Sequence, residues 1–409
     1  MAAEGDEDYL TTAQVARRLR VKPETVYAYV SRGLLTSVRA RGRRGSLFAA
    51  ADVERVASRS VEHSGVVEEI ESALTLQSGD ELYYRGRSVP DLATRSTLES
   101  VAHLLWTGEL TEQPPFPVDR PSVDLARAAI AVLPPTARRT DQLRIAVAAL
   151  GAADPLRFDL DPTAITTAAR TLLGTLITAL PGPTAAADAS PGTRLLPKLQ
   201  ANPNATPSGA PASQDSEGAT PPSASAAAAL DAALVLLADH GLAVSTVAAR
   251  VAASARANLY AVVSAGLGAL DGQYHGTAPT LAYDFLARAK HDPLGALSDH
   301  LRTGTGVPGF GHKIYRTRDP RAEALFTLLG DHPIMQVVQT ITTHTKSFPN
   351  SDLALAALSH AHSLRPDAGE ALFALARIVG WTAHALEEYA APALRYRAPG
   401  IYTGTPTPD

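Results

Sequence analysis

The chain contains no cysteine. Disulfides, thiolate metal sites and cysteine nucleophiles are therefore excluded, and the absence fits a reducing cytosol. No uninterrupted apolar run approaches the ~20 residues that a membrane helix needs. The first residues, MAAEGDEDYL, are acidic and hold no apolar segment, so they do not read as a secretory signal. No repeat of roughly 20–50 residues is visible, and alternating strand-like patterning is scarce. Together these absences lead to the expectation of a soluble, cytoplasmic, mainly helical protein with no membrane partner.

What is present is enough for a large core. The chain has 409 residues, 45% of them apolar, which suits two or three compact units at roughly 100–200 residues each. The net charge is −4 but is unevenly placed. Between Leu10 and Ser60 there are 11 Lys and Arg against 3 Asp and Glu, which leaves −12 for the remainder. Such asymmetry points to a small basic module on an acidic body.

The basic stretch has its own punctuation. Thr11 or Thr12 caps a short helix over AQVARRL. A turn at Arg20-Val21-Lys22 follows, then Pro23 opens a second helix, PETVYAYVSRG, that Gly33 stops. Val15, Ala16, Leu19, Val26, Tyr29 and Val30 recur at helical spacing and should pack the two helices together. Beyond Gly33 a short hairpin with a basic tip at Arg41, Arg43 and Arg44 leads to a third helix from Ala51. Residues 9–60 thus resemble the winged helix-turn-helix module of the MerR and excisionase type, with Arg20 standing where such turns often carry Gly. The resemblance implies DNA contact through Thr25, Tyr27 and Tyr29 of the second helix, with the tip arginines on phosphates. A docking or dimerising module with solvated arginines is the other reading of the same residues.

From Val66 the pattern opens with strand-like residues and a turn at Ser78-Gly79-Asp80, then passes to helices. The spacing predicts them at Val89–Thr94, Leu98–Thr107, Ser122–Leu133, Thr140–Ala152 and Pro162–Leu180. Residues from about Pro181 to Ala228 are rich in Pro, Ala, Ser and Gly, with few large apolar groups. Most of that stretch reads as a disordered low-complexity insertion that cannot bury enough surface to order itself; an Ala-rich surface helix, confined to its end, is the other reading. From Leu230 onward the chain reads as helix after helix, with small-residue-rich segments expected near the centre of the body.

Four segments break these apolar helices with titratable groups. They are Asp239-His240-Gly241, Gly272-Gln273-Tyr274-His275-Gly276, Gly309-Phe310-Gly311-His312-Lys313 running on to Asp319-Pro320-Arg321, and Pro349-Asn350-Ser351-Asp352. Each has an ordinary structural explanation by itself. His240 can satisfy helix-end carbonyls, and Asp352 is well placed as an N-cap.

Together and in this order they resemble the citrate synthase family. The matching stretches are YYRGRSVPDLA, LADHGLAVST, GQYHGTA, GFGHKIYRTRDPRA, PNSD, LFALARIVGWTAHALEE and RAPGIYTG, spread over about residues 66–404. The resemblance implies a condensation of acetyl-CoA with oxaloacetate. Asp352 would be the base that takes the methyl proton, His275 a neutral donor to the thioester oxygen, and His312 the group that polarises the ketone. His240, Arg321, Arg377 and Arg397 would hold oxaloacetate, the last reaching across a homodimer, because guanidinium groups pair well with carboxylates. Arg316 would bind CoA, which is a substrate; no cofactor and no metal are implied. The implied fold is a two-domain helical body behind the small module. Residues 66–276 and 364–409 would form the large domain, with the insertion at about 181–228. Residues 277–363 would form a small domain that closes over the substrates.

The family usually reads HGGAN where this chain has His275-Gly276-Thr277-Ala278-Pro279. Lys313 and Gly241 also depart from common residues. These changes bear on the acyl donor, so 2-methylcitrate synthesis from propionyl-CoA stands as an alternative. A DNA-binding regulator that uses the body as a metabolite sensor is a second alternative.

Overall fold

The computed structural model describes residues 9–19, 21–31, 35–38, 46–53, 70–201 and 223–396. The described residues separate into two compact units. One holds the N-terminal residues up to Ile70 with residues 394–396, and the other runs from Glu71 to Ala393.

In the N-terminal unit, helix Thr12–Arg18 starts from a capping box. The Thr11 hydroxyl accepts from the N–H of Gln14, and the Gln14 side chain accepts from the N–H of Thr11. Helix Pro23–Ser31 follows the turn. Strand Leu47–Ala49 pairs antiparallel with both Tyr9–Thr11 and Ser37–Val38. The Ser37–Val38 and Leu47–Ala49 pair is the expected hairpin; the Tyr9–Thr11 strand is a third member that periodicity did not indicate. Val15, Ala16, Val26, Leu35, Phe48 and Val53 form its core, with Tyr29 packed against it. Tyr29 is therefore a packing residue. Tyr27 is 54% exposed on the same helix, and Thr25 is half-buried. Arg41, Arg43 and Arg44 lie outside the described residues.

In the larger unit, a three-stranded antiparallel sheet, Thr75–Ser78, Glu81–Tyr84 and Arg87–Ser88, precedes a helical body. Helices follow at Val89–Arg95, Leu98–Thr107, Arg120–Ala131, Arg139–Ala153 and Pro162–Ala179, close to the boundaries the spacing predicts. The centre is helix Ala368–Ala390. Its sequence is apolar nearly all round, which is the pattern of a helix enclosed on every side, and nearly all of its side chains are buried. Phe373, Arg377, Gly380, His384 and Glu388 recur on it three or four residues apart. They line one face.

The expectation of disorder over most of 181–228 needs correction in its first part, while the helix at its end matches the other reading of that stretch. Helix Pro191–Leu199 is ordered, with Leu195 and Leu199 fully buried. Helix Ser223–Leu237 buries Ala226 and Ala227 against the core. Average composition concealed a short amphipathic segment whose three leucines share one face with Arg194 and Lys198. Residues 202–222 lie outside the described residues.

Candidate active site

Backbone pairing brings two distant segments of the site together. The N–H of Gly311 donates to Phe348 O at 2.8 Å, and that of Asn350 to Gly309 O at 2.9 Å. The Asn350 side chain adds a bond from Nδ2 to Gly311 O at 2.8 Å. The loop that carries His312 is thereby tied to the start of helix Ser351–Ala361, which carries Asp352. Asn350, not Asp352, caps that helix, its Oδ1 accepting from the N–H of both Asp352 and Leu353. The Asp352 carboxyl is left free of capping duty. Burial pushes it up to about 7, against the pull of Arg321 and with Asp319 adding to the rise.

Arg321 opens helix Pro320–Leu329 and is 3% exposed. Its Nε and Nη2 donate to the two oxygens of Asp319 at 3.0 and 2.8 Å, a bidentate pair. Asp319 caps the same helix and also accepts from the N–H of Ser351 at 2.9 Å. One carboxylate therefore fixes Arg321 and the base of the Asp352 helix together. Sequence reasoning assigned Asp319 no role, although its position before Pro320 marks it as an N-cap.

His312 Nδ1 accepts from the N–H groups of Ile314 and Tyr315 at 3.1 and 3.3 Å. That assignment places the proton of the neutral ring on Nε2. Burial, then the charge of Arg321, holds the ring down at about 4, so His312 is a neutral donor at neutral pH. His240, 6% exposed, stands edge-on to it with ring centroids 5.2 Å apart. His240 Nε2 lies 2.9 Å from the Tyr315 hydroxyl, and its Nδ1 lies 3.2 Å from Gln77 Nε2. An amide nitrogen can only donate, so Gln77 fixes Nδ1 as acceptor and Nε2 as the protonated nitrogen. Burial pushes His240 well below its usual range, with Arg321, Arg377, His312 and His275 adding to the effect.

Arg377, 1% exposed, lies on the central helix with its Nε donating to Leu237 O at 3.2 Å. Its Nη1 is buried without a hydrogen-bond partner. Its guanidinium sits 4.6 Å from the centre of the Phe373 ring. His275 meets the same ring edge-on at 5.4 Å and places Nε2 2.7 Å from Ser245 Oγ. Burial and the charge of Arg377 hold His275 at about 4. The structure thus links His275 to Arg377, and His240, His312 and Tyr315 to the region of Arg321 and Asp352. Among the described residues no hydrogen bond joins Asp352 to either His275 or His312.

A buried charged network supports the turn of His240. Asp239 is fully buried; its Oδ2 accepts from the Thr75 hydroxyl and from the N–H of Gly241 at 2.5 and 2.9 Å. His384 Nε2 lies 3.2 Å from Asp239 Oδ1, and His384 Nδ1 lies 2.6 Å from Arg250 Nη1. Arg250 pairs with Glu387 and Glu388, both at 2.6 Å. Gly380 makes the approach possible, because a Cβ there would meet Asp239 Oδ1 at 2.4 Å. Sequence reasoning missed His384, Arg250 and Glu388, whose partners stand more than 130 residues apart.

Arg316 is exposed on the outer side of the His312 loop, where Asp80 accepts from the N–H groups of Arg316 and Thr317 at 2.6 and 2.9 Å. A cavity of about 460 Å³ beside it is lined by Arg316, Lys346, Phe326 and Phe348 among others. Arg397 lies outside the described residues. Among the described residues no cluster of His, Asp and Glu is arranged to hold a metal ion, and no helix is long and apolar enough to cross a membrane.

Comparison with known proteins places the geometry. The family model described as the C-terminal domain of citrate synthase matches residues 64–397, and a helix-turn-helix domain model matches residues 9–60. The chain is 30% identical to a 2-methylcitrate synthase of Mycobacterium tuberculosis, over 76% of this chain and 82% of that one. It is also 30% identical to a citrate synthase of Mycolicibacterium smegmatis, over 80% and 89% of the two chains. Among solved structures, the citrate synthase of Thermotoga maritima superposes with a TM-score of 0.64 at 25% identity, over 84% of this chain and 95% of that one. A ternary complex of the Thermoplasma acidophilum enzyme with carboxymethyl coenzyme A and oxaloacetate shares the fold, with a TM-score of 0.65 at 22% identity over 84% and 96%.

Proposed function

Since the chain belongs to the citrate synthase family and is an acyl-transferring enzyme of that type, we propose that it condenses acetyl-CoA with oxaloacetate and water to give citrate and CoA. The observation that carries this reading is the Asp352 carboxyl, raised to about 7 and freed from capping by Asn350. A base with a pKa near the working pH is ionised and still holds an abstracted proton well.

In the proposed reaction Asp352 takes a proton from the thioester methyl group, and His275 donates to the thioester oxygen as the enolate forms. Ser245 donating to His275 Nε2 would leave Nδ1–H for that oxygen. The enolate carbon then bonds to the ketone carbon of oxaloacetate, and His312 Nε2–H supplies the proton for the new alkoxide. Water finally cleaves the thioester and releases CoA. Neutral histidines suit both donor roles, and burial among cations supports them here.

His240, Arg321 and Arg377 would hold oxaloacetate, with Arg397 supplied across a homodimer. The unpartnered Nη1 of Arg377 supports that role. Arg316, beside the 460 Å³ cavity, would bind CoA. Residues 277–363 would form the closing domain, against a large domain of residues 66–276 and 364–409. Propionyl-CoA differs by one methyl group, worth only about 1–3 kcal/mol in a pocket. Relatives of both names at equal identity keep 2-methylcitrate synthesis as the alternative. The test is CoA release with oxaloacetate and either acyl donor. Asp352→Ala should abolish it, and no turnover with either donor would sink the reading.

A second role in DNA binding is favoured by one observation: the module matched by the helix-turn-helix model coincides with the most basic part of the chain. Thr25, the exposed Tyr27 and Arg41, Arg43 and Arg44 would make the contacts. Binding should weaken steeply with salt and disappear when residues 1–60 are removed. Binding that survives the truncation would reject the module. A cytoplasmic location accords with both roles.

A further inference from the structure

A second basic site lies on helix segments that none of the proposed chemistry uses. A cavity of about 340 Å³ is lined by Arg120, Arg127, Thr178, Thr184, Arg194 and Lys198, among others. Arg194 and Lys198 are 2% and 1% exposed, a rare state for charged side chains without an ionic partner. Among the described residues no carboxylate comes within ion-pair distance of Arg127, Arg194 or Lys198. Arg194 Nη1 is buried with no hydrogen-bond partner at all.

Part of this clustering has a structural cause. Arg194 Nη2 donates to Gly174 O at 2.9 Å, Lys198 Nζ to Thr178 O and Leu180 O at 3.2 and 2.8 Å, and Arg127 Nη2 to Thr178 O at 3.3 Å. Thr178 O and Leu180 O end helix Pro162–Ala179, where cations are favoured, and Gly174 O lies one turn earlier. A helix end carries only about half a negative charge, so it cannot balance three cations. The buried Glu99 carboxylate acts on Arg194 from beyond ion-pair distance, and a net positive charge still remains around one concavity. The crowding is felt by Lys198, which burial and the neighbouring Arg127, Arg139 and Arg194 pull down to about 8.

We propose that this cavity is a binding site for a phosphate-bearing anion, distinct from the site of His240, His275, His312 and Asp352. Its volume falls at the small end of ligand pockets. Guanidinium groups match the oxygens of phosphate with directed bonds, and the Thr184 hydroxyl on the same wall, which accepts from Arg127 Nη2 at 3.4 Å, keeps its own proton to donate. The site is also wired to the body. Arg139 Nη2 donates to Lys198 O at 2.8 Å, the Arg139 N–H to Asp367 at 2.8 Å, and the Arg365 N–H to Leu199 O at 2.7 Å.

The test is titration of the full-length protein with inorganic pyrophosphate by calorimetry at constant ionic strength, with succinate in parallel. Saturable binding of pyrophosphate is expected. Arg127→Gln removes a half-buried cation at the rim and leaves the buried pair in place. It should weaken binding roughly ten- to a hundredfold, the worth of one charge-assisted bond, while melting shows that the variant is folded. Succinate binding equally well would extend the site to dicarboxylates. No saturable pyrophosphate binding by the wild type overturns the proposal. So does binding that Arg127→Gln leaves unchanged and Arg316→Ala removes, which would place the anion at the proposed CoA site.

Discussion

Replacing Asp352 by Asn should cut activity steeply and stabilise the protein, and the stabilisation should depend on pH in a defined way. The carboxyl titrates at about 7 in the folded chain against an ordinary value of 3.8. A folded pKa above the unfolded one means that the ionised group opposes folding. Below about pH 3.8 the carboxyl is protonated in both states and contributes nothing. Between 3.8 and 7 only the unfolded chain releases the proton, so wild-type stability falls as pH rises. Above 7 both states are ionised and the penalty is constant at roughly 4 kcal/mol, an order-of-magnitude figure from about 1.4 kcal/mol per pH unit. Asn is isosteric and cannot ionise. The stability difference between Asp352→Asn and wild type should therefore grow by about 2 kcal/mol between pH 5.5 and 8.5. Urea denaturation of both proteins at the two pH values measures it, and the same variant should lose roughly 10²- to 10⁴-fold in turnover. In the wild type, kcat/KM should rise with pH and level off above about 7. A stability difference that does not change with pH would refute the claim that the site strains this carboxyl, and with it the argument that Asp352 is a tuned base.

Further outcomes follow from the same geometry. His312→Ala removes the Nε2 donor and should lower kcat by roughly 10²- to 10³-fold, read in the CoA-release assay at saturating substrates. Arg377→Lys keeps the charge but loses the fork beside Phe373. The KM for oxaloacetate should rise about tenfold or more while that for the acyl donor holds. Changing Arg41, Arg43 and Arg44 together to Gln should reduce the dependence of DNA affinity on salt, the slope of log K against log salt falling by up to about 2.7.

The helices of the body were legible because their apolar periodicity is long and regular, and the candidate site stood out because titratable residues interrupt it at positions with a family pattern. What the sequence concealed is partnership. Nothing local to Arg321 says that its own N-cap carboxylate, Asp319, would hold it in a bidentate pair. His384 sits in an alternation of small and apolar residues, and its contacts with Asp239 and Arg250 exist only after the central helix is enclosed. Helix Pro191–Leu199 was hidden for a different reason. Pro191 and Pro197 add to the Pro-rich composition of the stretch, yet Pro191 occupies the first helical position, where no donor is needed.

The departure after His275 can now be weighed by position. Gly276 is the residue whose size matters, since a Cβ there would meet Leu270 O at 2.4 Å, and it is retained. Thr277 has φ −87° and ψ −5°, an ordinary right-handed conformation that asks for no glycine. Pro279 falls in the first turn of helix Ala278–Ala289, where its missing N–H leaves no helical acceptor unpaired. The segment is also braced at both ends. The Thr277 hydroxyl donates to Gly272 O at 3.3 Å, and the Thr280 hydroxyl donates to Glu370 at 2.5 Å, where Arg138 also reaches the carboxylate. The altered residues therefore hold the His275 loop by other means and do not open it. Thr277→Gly should consequently cost stability, about 1 kcal/mol from the freer unfolded chain, and should leave the ratio of acetyl- to propionyl-CoA turnover within about twofold, far less than the effect of one methyl in a shaped pocket. A marked change of that ratio, measured by CoA release with both donors, would mean that Thr277 itself lines the acyl pocket and that the bracing account is wrong.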